Sequence, residues 1–247
     1  MDPVLSKRAT RGETAWWKGL ASAKSEPAVE PRPLPRPGAG EVRHAELFAS
    51  SREAGGAGLA LAFALEQAEA DDQRPWLWVQ DAAALRLGGR PYRPGLPRTL
   101  RHRLLHVAAK TPEDALFALE EGLRCRDLAF VIGEIAGNPK ALSFTASRRL
   151  SLVAEMHGVP LWLVRLDAAR DLSSARQRWQ VTAAPSLAPR WNKAAPGAPA
   201  WHAELFRARS HPPGEWILRD DGHVLVASPP HHGDLVRAAG DRSLAAG

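Results

Sequence analysis

Short apolar runs alternate with helix-patterned stretches through the middle of this 247-residue chain, and that alternation constrains its fold more than any other feature. Val42 to Ser50, Pro75 to Gln80, His102 to Ala109, Leu128 to Ile132 and Pro160 to Leu166 read as strands, rich in Leu, Val, Ile, Phe and Trp. Gly56 to Ala70 reads as a helix carrying Leu59, Phe63 and Leu65 among alanines, small enough to lie close on a sheet. Thr111-Pro112-Glu113-Asp114 opens a second helix, with Thr111 as cap, Pro112 at the first helical position and two acids at the positive end of the dipole. Its apolar stripe is Ala115, Leu116, Leu119 and Leu123. Ala141 to His157 is a third helix, with Leu142, Leu150, Leu152, Val153 and Met156 as its apolar content and Gly158 as its stop. Leu87 to Leu100, rich in Gly, Pro and Arg, reads as a loop. Strands joined through helices pair in parallel, so the expectation is an α/β domain with a mostly parallel central sheet flanked by helices.

After Leu166 the period changes. Trp179 to Ala184, Trp201 to Arg209, Glu215 to Leu218 and His223 to Ala227 read as strands, with a tight hairpin signal at Asp220-Asp221-Gly222. The last third is therefore expected to be antiparallel and to extend one edge of the sheet. Leu187 to Pro199 reads as a loop containing Arg190, Trp191 and Lys193. The tryptophans at 179, 191, 201 and 216 are irregularly spaced, which favours core and edge cover over a base-stacking platform.

The ends differ in kind. Residues 1–40 carry seven basic residues against four acidic ones and five prolines between Pro27 and Pro37, a composition that cannot build a core. Within this tail Trp16-Trp17 reads either as a cap on the domain or as a short partner-docking segment. The folded domain is expected over 41–228, and 229–247 as a flexible C-terminal tail. Lys and Arg total 33 against 27 Asp and Glu, so an acidic partner is compatible with the charge. A single cysteine, Cys125, excludes an internal disulfide and a cysteine-built metal site. With neither a signal-like apolar region nor a run long enough to span a membrane, the expectation is a cytoplasmic protein.

One stretch suggests chemistry. Glu53-Ala54-Gly55-Gly56-Ala57-Gly58 joins the first strand to the first helix, the outline of a phosphate-binding loop. A working loop needs N–H groups at a helix start, a lysine for the β/γ charge, and a hydroxyl plus a second-strand carboxylate for Mg²⁺. Here Gly55, Gly56 and Gly58 supply the backbone. Ala57 stands where the lysine belongs and Gly58 where the hydroxyl belongs, and no lysine occurs between Lys24 and Lys110. The carboxylate after the fourth strand, Glu134, falls one position late, which by the period of two turns it away from the site. The loop is thus expected to be degenerate, without catalytic residue, cofactor or metal, its glycines serving a tight strand-to-helix turn.

Elsewhere the patterns are weaker. His102 and His106 read as same-face strand residues without metal-ligand spacing. Cys125 between Arg124 and Arg126 reads as a helix C-terminus. Arg148-Arg149, the group Arg98, Arg101 and Arg103, and the group Arg165, Arg170, Arg176 and Arg178 read either as solvated charge or as contacts to phosphate or an acidic partner.

The ordered set of segments resembles the core of the RecA recombinase. More closely, the chain resembles the ImuA family, RecA-like and SulA-related proteins of bacterial mutagenesis cassettes. The residues that carry this are Ala45-Glu46-Leu47-Phe48 before the degenerate loop, Arg126 to Glu134, Leu142 to Leu150, and Trp201-His202-Ala203-Glu204-Leu205. The resemblance implies a RecA-like core over Val42 to Ser228. It also implies accessory work with an ImuB-like protein and an error-prone DNA polymerase III-type α subunit, in translesion synthesis during the SOS response to DNA damage. It admits RecA as a partner and DNA, contacted directly or through the others. Trp16, Trp17, Arg148 and Arg149 are the expected partner-binding residues. The alternatives are a RecA-type DNA-binding ATPase and a SulA-like inhibitor of cell division.

Overall fold

The computed structural model describes residues 43 to 228, apart from 70, 188, 190, 191, 193, 194 and 221 to 224. The expected tails, Trp16 and Trp17, the hairpin turn at Asp221-Gly222, and Arg190, Trp191 and Lys193 lie outside the described residues.

Nine strands form one sheet in the order β3-β2-β4-β5-β1-β6-β7-β8-β9. The first six in that order are parallel: β3 (Leu104–Ala108), β2 (Trp76–Gln80), β4 (Val131–Ala136), β5 (Leu161–Leu166), β1 (His44–Ala49) and β6 (Gln177–Ala183). β7 (Ala200–Ala208), β8 (Gly214–Asp220) and β9 (Leu225–Ser228) follow as an antiparallel meander. The α/β class and the antiparallel extension are therefore as expected, with one change. The Trp179 strand belongs to the parallel part, because β6 pairs with β1 in parallel and reverses direction only toward β7. A strand two-thirds of the way along the chain can reach β1 because β5 and β6 flank it on either side.

The sheet separates two cores of different character. On one face lie α1 (Gly55–Gln67), α2 (Ala82–Gly88) and the four-residue α3 (Arg98–Arg101). The sheet meets them with Trp76, Trp78, Trp162, Trp179, Trp201 and Trp216, all in one cluster with Phe63 and Phe130. Phe63 stacks on Trp162 with centroids 5.3 Å apart, and Trp76 on Phe130 at 5.2 Å. On the other face α4 (Pro112–Arg124) and α5 (Phe144–His157) cover an aliphatic core that includes Leu77, Val79, Leu119, Leu161 and Leu163. The period of two in each strand produces this division: Leu161 and Leu163 face one way, Trp162 and Val164 the other. Trp179, Trp201 and Trp216 are core, as the irregular spacing suggested, while Trp191 lies outside the described residues.

Local signals agree with the boundaries where capping chemistry is explicit. Thr111 Oγ1 accepts from the Asp114 amide at 3.1 Å, and Gly158 closes α5 in the left-handed conformation at φ 74°. Several boundaries differ from expectation, and α5 begins at Phe144 behind the cap Ser143, three residues after the expected start at Ala141. The Leu87 to Leu100 stretch holds the end of α2, a 3-10 turn at Arg93–Gly95 and the start of α3, and His102 caps α3 instead of entering a strand. Asp81 fixes α2 by accepting from the Ala84 amide at 2.6 Å. β4 starts three residues later than the apolar run Leu128 to Ile132.

Candidate functional site

The β1–α1 junction is a packed joint. Gly55, Gly56, Ala57 and Gly58 are not in a loop; they form the first turn of α1, which begins at Gly55 behind Ala54. None of these glycines has positive φ. What Gly56 needs is closeness: a Cβ there would stand 2.6 Å from Ala49 Cβ and 3.0 Å from Val164 Cγ1. A Cβ on Gly58 would stand 3.2 Å from the Trp201 ring. The glycines thus let α1 lie against β1, β5 and β7, and the expected tight turn is made by the residues before them. In that turn the donors are used internally. The Ser51 amide donates to Asp167 Oδ1 at 3.0 Å, the Arg52 amide to Ser50 Oγ at 3.2 Å, and the Glu53 amide to the Ser50 carbonyl at 3.4 Å. Asp167 reaches Ser51 from the end of β5 in a left-handed conformation, φ 50°, which Asp tolerates better than most residues. The hydrogen bond from Ser51 holds its carboxyl below the ordinary value. Glu53 Oε2 accepts from the Ala183 amide at 2.6 Å, tying the turn to the end of β6. The Asp167 carboxylate thus takes one amide of the turn in which a phosphate-binding loop would offer its amides to a phosphate, while the Glu53 carboxylate is directed to β6.

Glu134 is not at a strand end. With β4 running from Val131 to Ala136, it lies inside the strand and on the same face as Ile132, the face that carries α1. The expectation is that it turns away from the β1–α1 turn; alternation instead puts it on the face of α1, where its hydrogen bonds go to β2. Its carboxylate is enclosed: Oε1 accepts from Trp78 Nε1 at 2.9 Å and Oε2 from Gln80 Nε2 at 3.1 Å. Gln80 continues the chain to Gly89 O at 2.9 Å and to His106 Nε2 at 2.8 Å. Burial pushes the Glu134 carboxyl up against the opposing effect of its two donors, with Asp81 adding to the rise. Burial, then Arg90 and Arg93, pushes the His106 imidazole down. The strand positions of Gln80, His106 and Glu134 are readable in sequence, but that β2 lies between β3 and β4 is not, so their meeting is not either.

A second polar centre lies on the opposite face. Glu46 of β1 is fully buried and accepts from Arg178 Nε at 2.8 Å and Ser173 Oγ at 2.7 Å, with Arg165 Nη1 3.8 Å away. Arg178 lies against Phe48 and Phe206, and Arg170 stacks on Phe206 with its carbon 3.9 Å from the centroid while pairing with Glu204 at 3.0 Å. One buried carboxylate for two buried guanidinia leaves Arg165 Nε and Arg178 Nη2 without partners among the described residues. Arg165, Arg170, Arg176 and Arg178 are thus engaged inside the protein, Arg176 by Glu155. Arg101 and Arg103 donate to the carbonyls of Leu96 and of Asp72, Arg74 and Thr99. Sequence reasoning missed this centre because Glu46 and Arg178 are 132 positions apart.

Of the expected partner-binding residues, Arg149 Nε reaches Glu120 Oε2 on α4 at 2.5 Å, while Arg148 beside it is exposed. Leu152 and Met156 do not join the core, being 50% and 70% exposed. Cys125 caps α4 and is exposed. Among the described residues no three His, Cys, Asp or Glu side chains are grouped to hold a metal ion, and no helix is long and apolar enough to cross a membrane. No protein-family model matches the chain, and no curated protein matches it.

Proposed function

We propose that this chain is a non-catalytic accessory protein of SOS-induced, error-prone translesion DNA synthesis. It would act as an ImuA-type scaffold beside an ImuB-like protein and an error-prone DNA polymerase α subunit. The observation that carries the reading is the β1–α1 junction, where the amides of Ser51, Arg52 and Glu53 are satisfied by Asp167 and Ser50 and the glycines are used for contact with Ala49, Val164 and Trp201. At this joint Ala57 and Gly58 supply neither the charge nor the hydroxyl that phosphoryl transfer needs. A RecA-like core that keeps its sheet and loses that chemistry works through its surfaces. A cytoplasmic location fits such work.

The RecA-type ATPase reading has one observation in its favour: Glu134 is a buried carboxyl with a raised pKa on the face that carries α1. Two measurements separate the readings. A tagged copy recovered from DNA-damaged cells is expected to bring down polymerase subunits or RecA. Purified protein is expected to turn over ATP at background. Turnover that is lost on substituting Glu134, with no polymerase subunit recovered, would overturn the scaffold reading.

A further inference from the structure

On the solvent side of α5, Phe144, Arg148, Leu152 and Met156 follow at four-residue steps and form one slowly winding row. Phe144 is 49% exposed, Leu152 50% and Met156 70%. The helix does not need these side chains for its own packing, because Ala146, Leu150, Val153 and Ala154 form its buried stripe. Apolar neighbours one turn apart on an exposed ridge make a patch and not a scatter of single residues. The ridge is bordered by neutralised charge: Arg149 pairs with Glu120 on one side, and Glu155 with Arg176 on the other. Arg148 is exposed between them and has no partner among the described residues.

At Phe144 the ridge opens into a cleft of about 350 Å³ between the start of α5, the segment from Ser173 to Arg176, and the end of β7. Arg207 and Arg209 stand at this cleft, both exposed and both without a partner among the described residues. Among the described residues no acidic side chain lines it. An apolar row therefore leads into an uncompensated basic cleft.

We propose that this surface docks an acidic amphipathic segment of a protein partner. Its apolar side chains would lie on Phe144, Leu152 and Met156, and its carboxylates would meet Arg148, Arg207 and Arg209. The charge selects an acidic occupant. The aliphatic half of the row selects a protein segment over a nucleic-acid strand, since Leu152 and Met156 offer a base no ring to stack on. This inference rests on the scaffold reading for the existence of a partner and adds where, and with what chemistry, that partner is held.

The test uses the full chain and a fluorescein-labelled synthetic peptide of 18 residues, leucines on one helical face and glutamates on its flanks, read by anisotropy. The unaltered protein is expected to bind it and to prefer it at least tenfold over a scrambled peptide of the same composition. The pair Arg207→Ala with Arg209→Ala, and separately Leu152→Ser with Met156→Ser, should each weaken binding about tenfold or more. The pair Arg86→Ala with Arg90→Ala, exposed arginines elsewhere, should weaken it less than about twofold. All substituted side chains are at least half exposed or lie on the surface, and thermal melts confirm that each variant folds. Equal binding of the scrambled peptide overturns the proposal. So does a loss with the Arg207/Arg209 pair alone, accompanied by tighter binding of a labelled oligothymidine, which would assign the cleft to nucleic acid. Peptide binding that fails while polymerase subunits are still recovered from cells removes this surface and leaves the scaffold reading standing.

Discussion

His44, at the start of β1, is fully buried, with Nδ1 2.8 Å from Ser151 Oγ and Nε2 without a partner among the described residues. Burial first, then Arg176 and Arg178, lower its pKa from 6.5 to about 4 against the pull of Glu46 and Glu155. The sign follows from which state takes up the proton. Above pH 6.5 the imidazole is neutral folded and unfolded, and stability does not depend on it. Between 6.5 and about 4 only the unfolded chain protonates, so stability falls as the pH drops, by at most about 3 kcal/mol. Glu134 acts oppositely, because a raised carboxyl loses stability as the pH rises through its own window above 4.5. Comparing the parent with His44→Gln by urea unfolding at pH 7, 5.5 and 4.5 isolates the histidine: the variant is expected to lose the acid-side slope. Parallel curves for the two proteins would contradict the assignment. A histidine in a strand is visible in the sequence; that it is sealed beneath α5 is not, because that depends on which helix covers β1.

The first turn of α1 is where element-level reading and structure diverge most usefully. Gly55-Gly56-Ala57-Gly58 between a strand and a helix signals a tight joint, and the joint is there. The glycine requirement, however, belongs to the contact between elements, not to the turn. Gly56→Ala is therefore expected to lower stability by about 1–3 kcal/mol in urea unfolding, although alanine favours an isolated helix by up to about 1 kcal/mol. A stabilising effect would mean that α1 can lift from Ala49 and Val164. The same logic explains the shift of β4. Leu128, Ala129 and Phe130 are buried and apolar, so they look like strand, yet the ladder with β5 begins only at Val131. Burial sets hydrophobicity, while neighbouring strands set where a strand begins. The caps Thr111 and Gly158 are legible for the opposite reason, since they act on their own backbone neighbours, whereas the Ser143 cap lies inside the helix expected from Ala141.

Across the whole molecule, the described core is built from residues between Ala45 and Leu218, with six tryptophans filling the face under α1 and aliphatic side chains the face under α4 and α5. The Pro-rich composition of residues 1–40 has no apolar pattern to add to such a core. Deleting Met1 to Gly40 is accordingly expected to leave the melting temperature within about 2 °C of the parent while weakening partner recovery from cells; a large fall in melting temperature would show that the tail supports the fold. Features that act over a few residues are legible along the chain: the alternation of strands and helices, the caps at Thr111 and Gly158, the period of two that sorts tryptophan from leucine, and the missing lysine and hydroxyl at Ala57 and Gly58. Whatever depends on strand order emerges only in the folded sheet. The sheet places β6 beside β1 in parallel, brings Glu46 to Arg178, encloses Glu134 between Trp78 and Gln80, and leaves Leu152 and Met156 in solvent. The reason is physical. Local backbone chemistry is encoded within a turn or two of the chain, whereas contacts between residues more than a hundred positions apart follow from how nine strands share their hydrogen bonds, which no short stretch of sequence specifies.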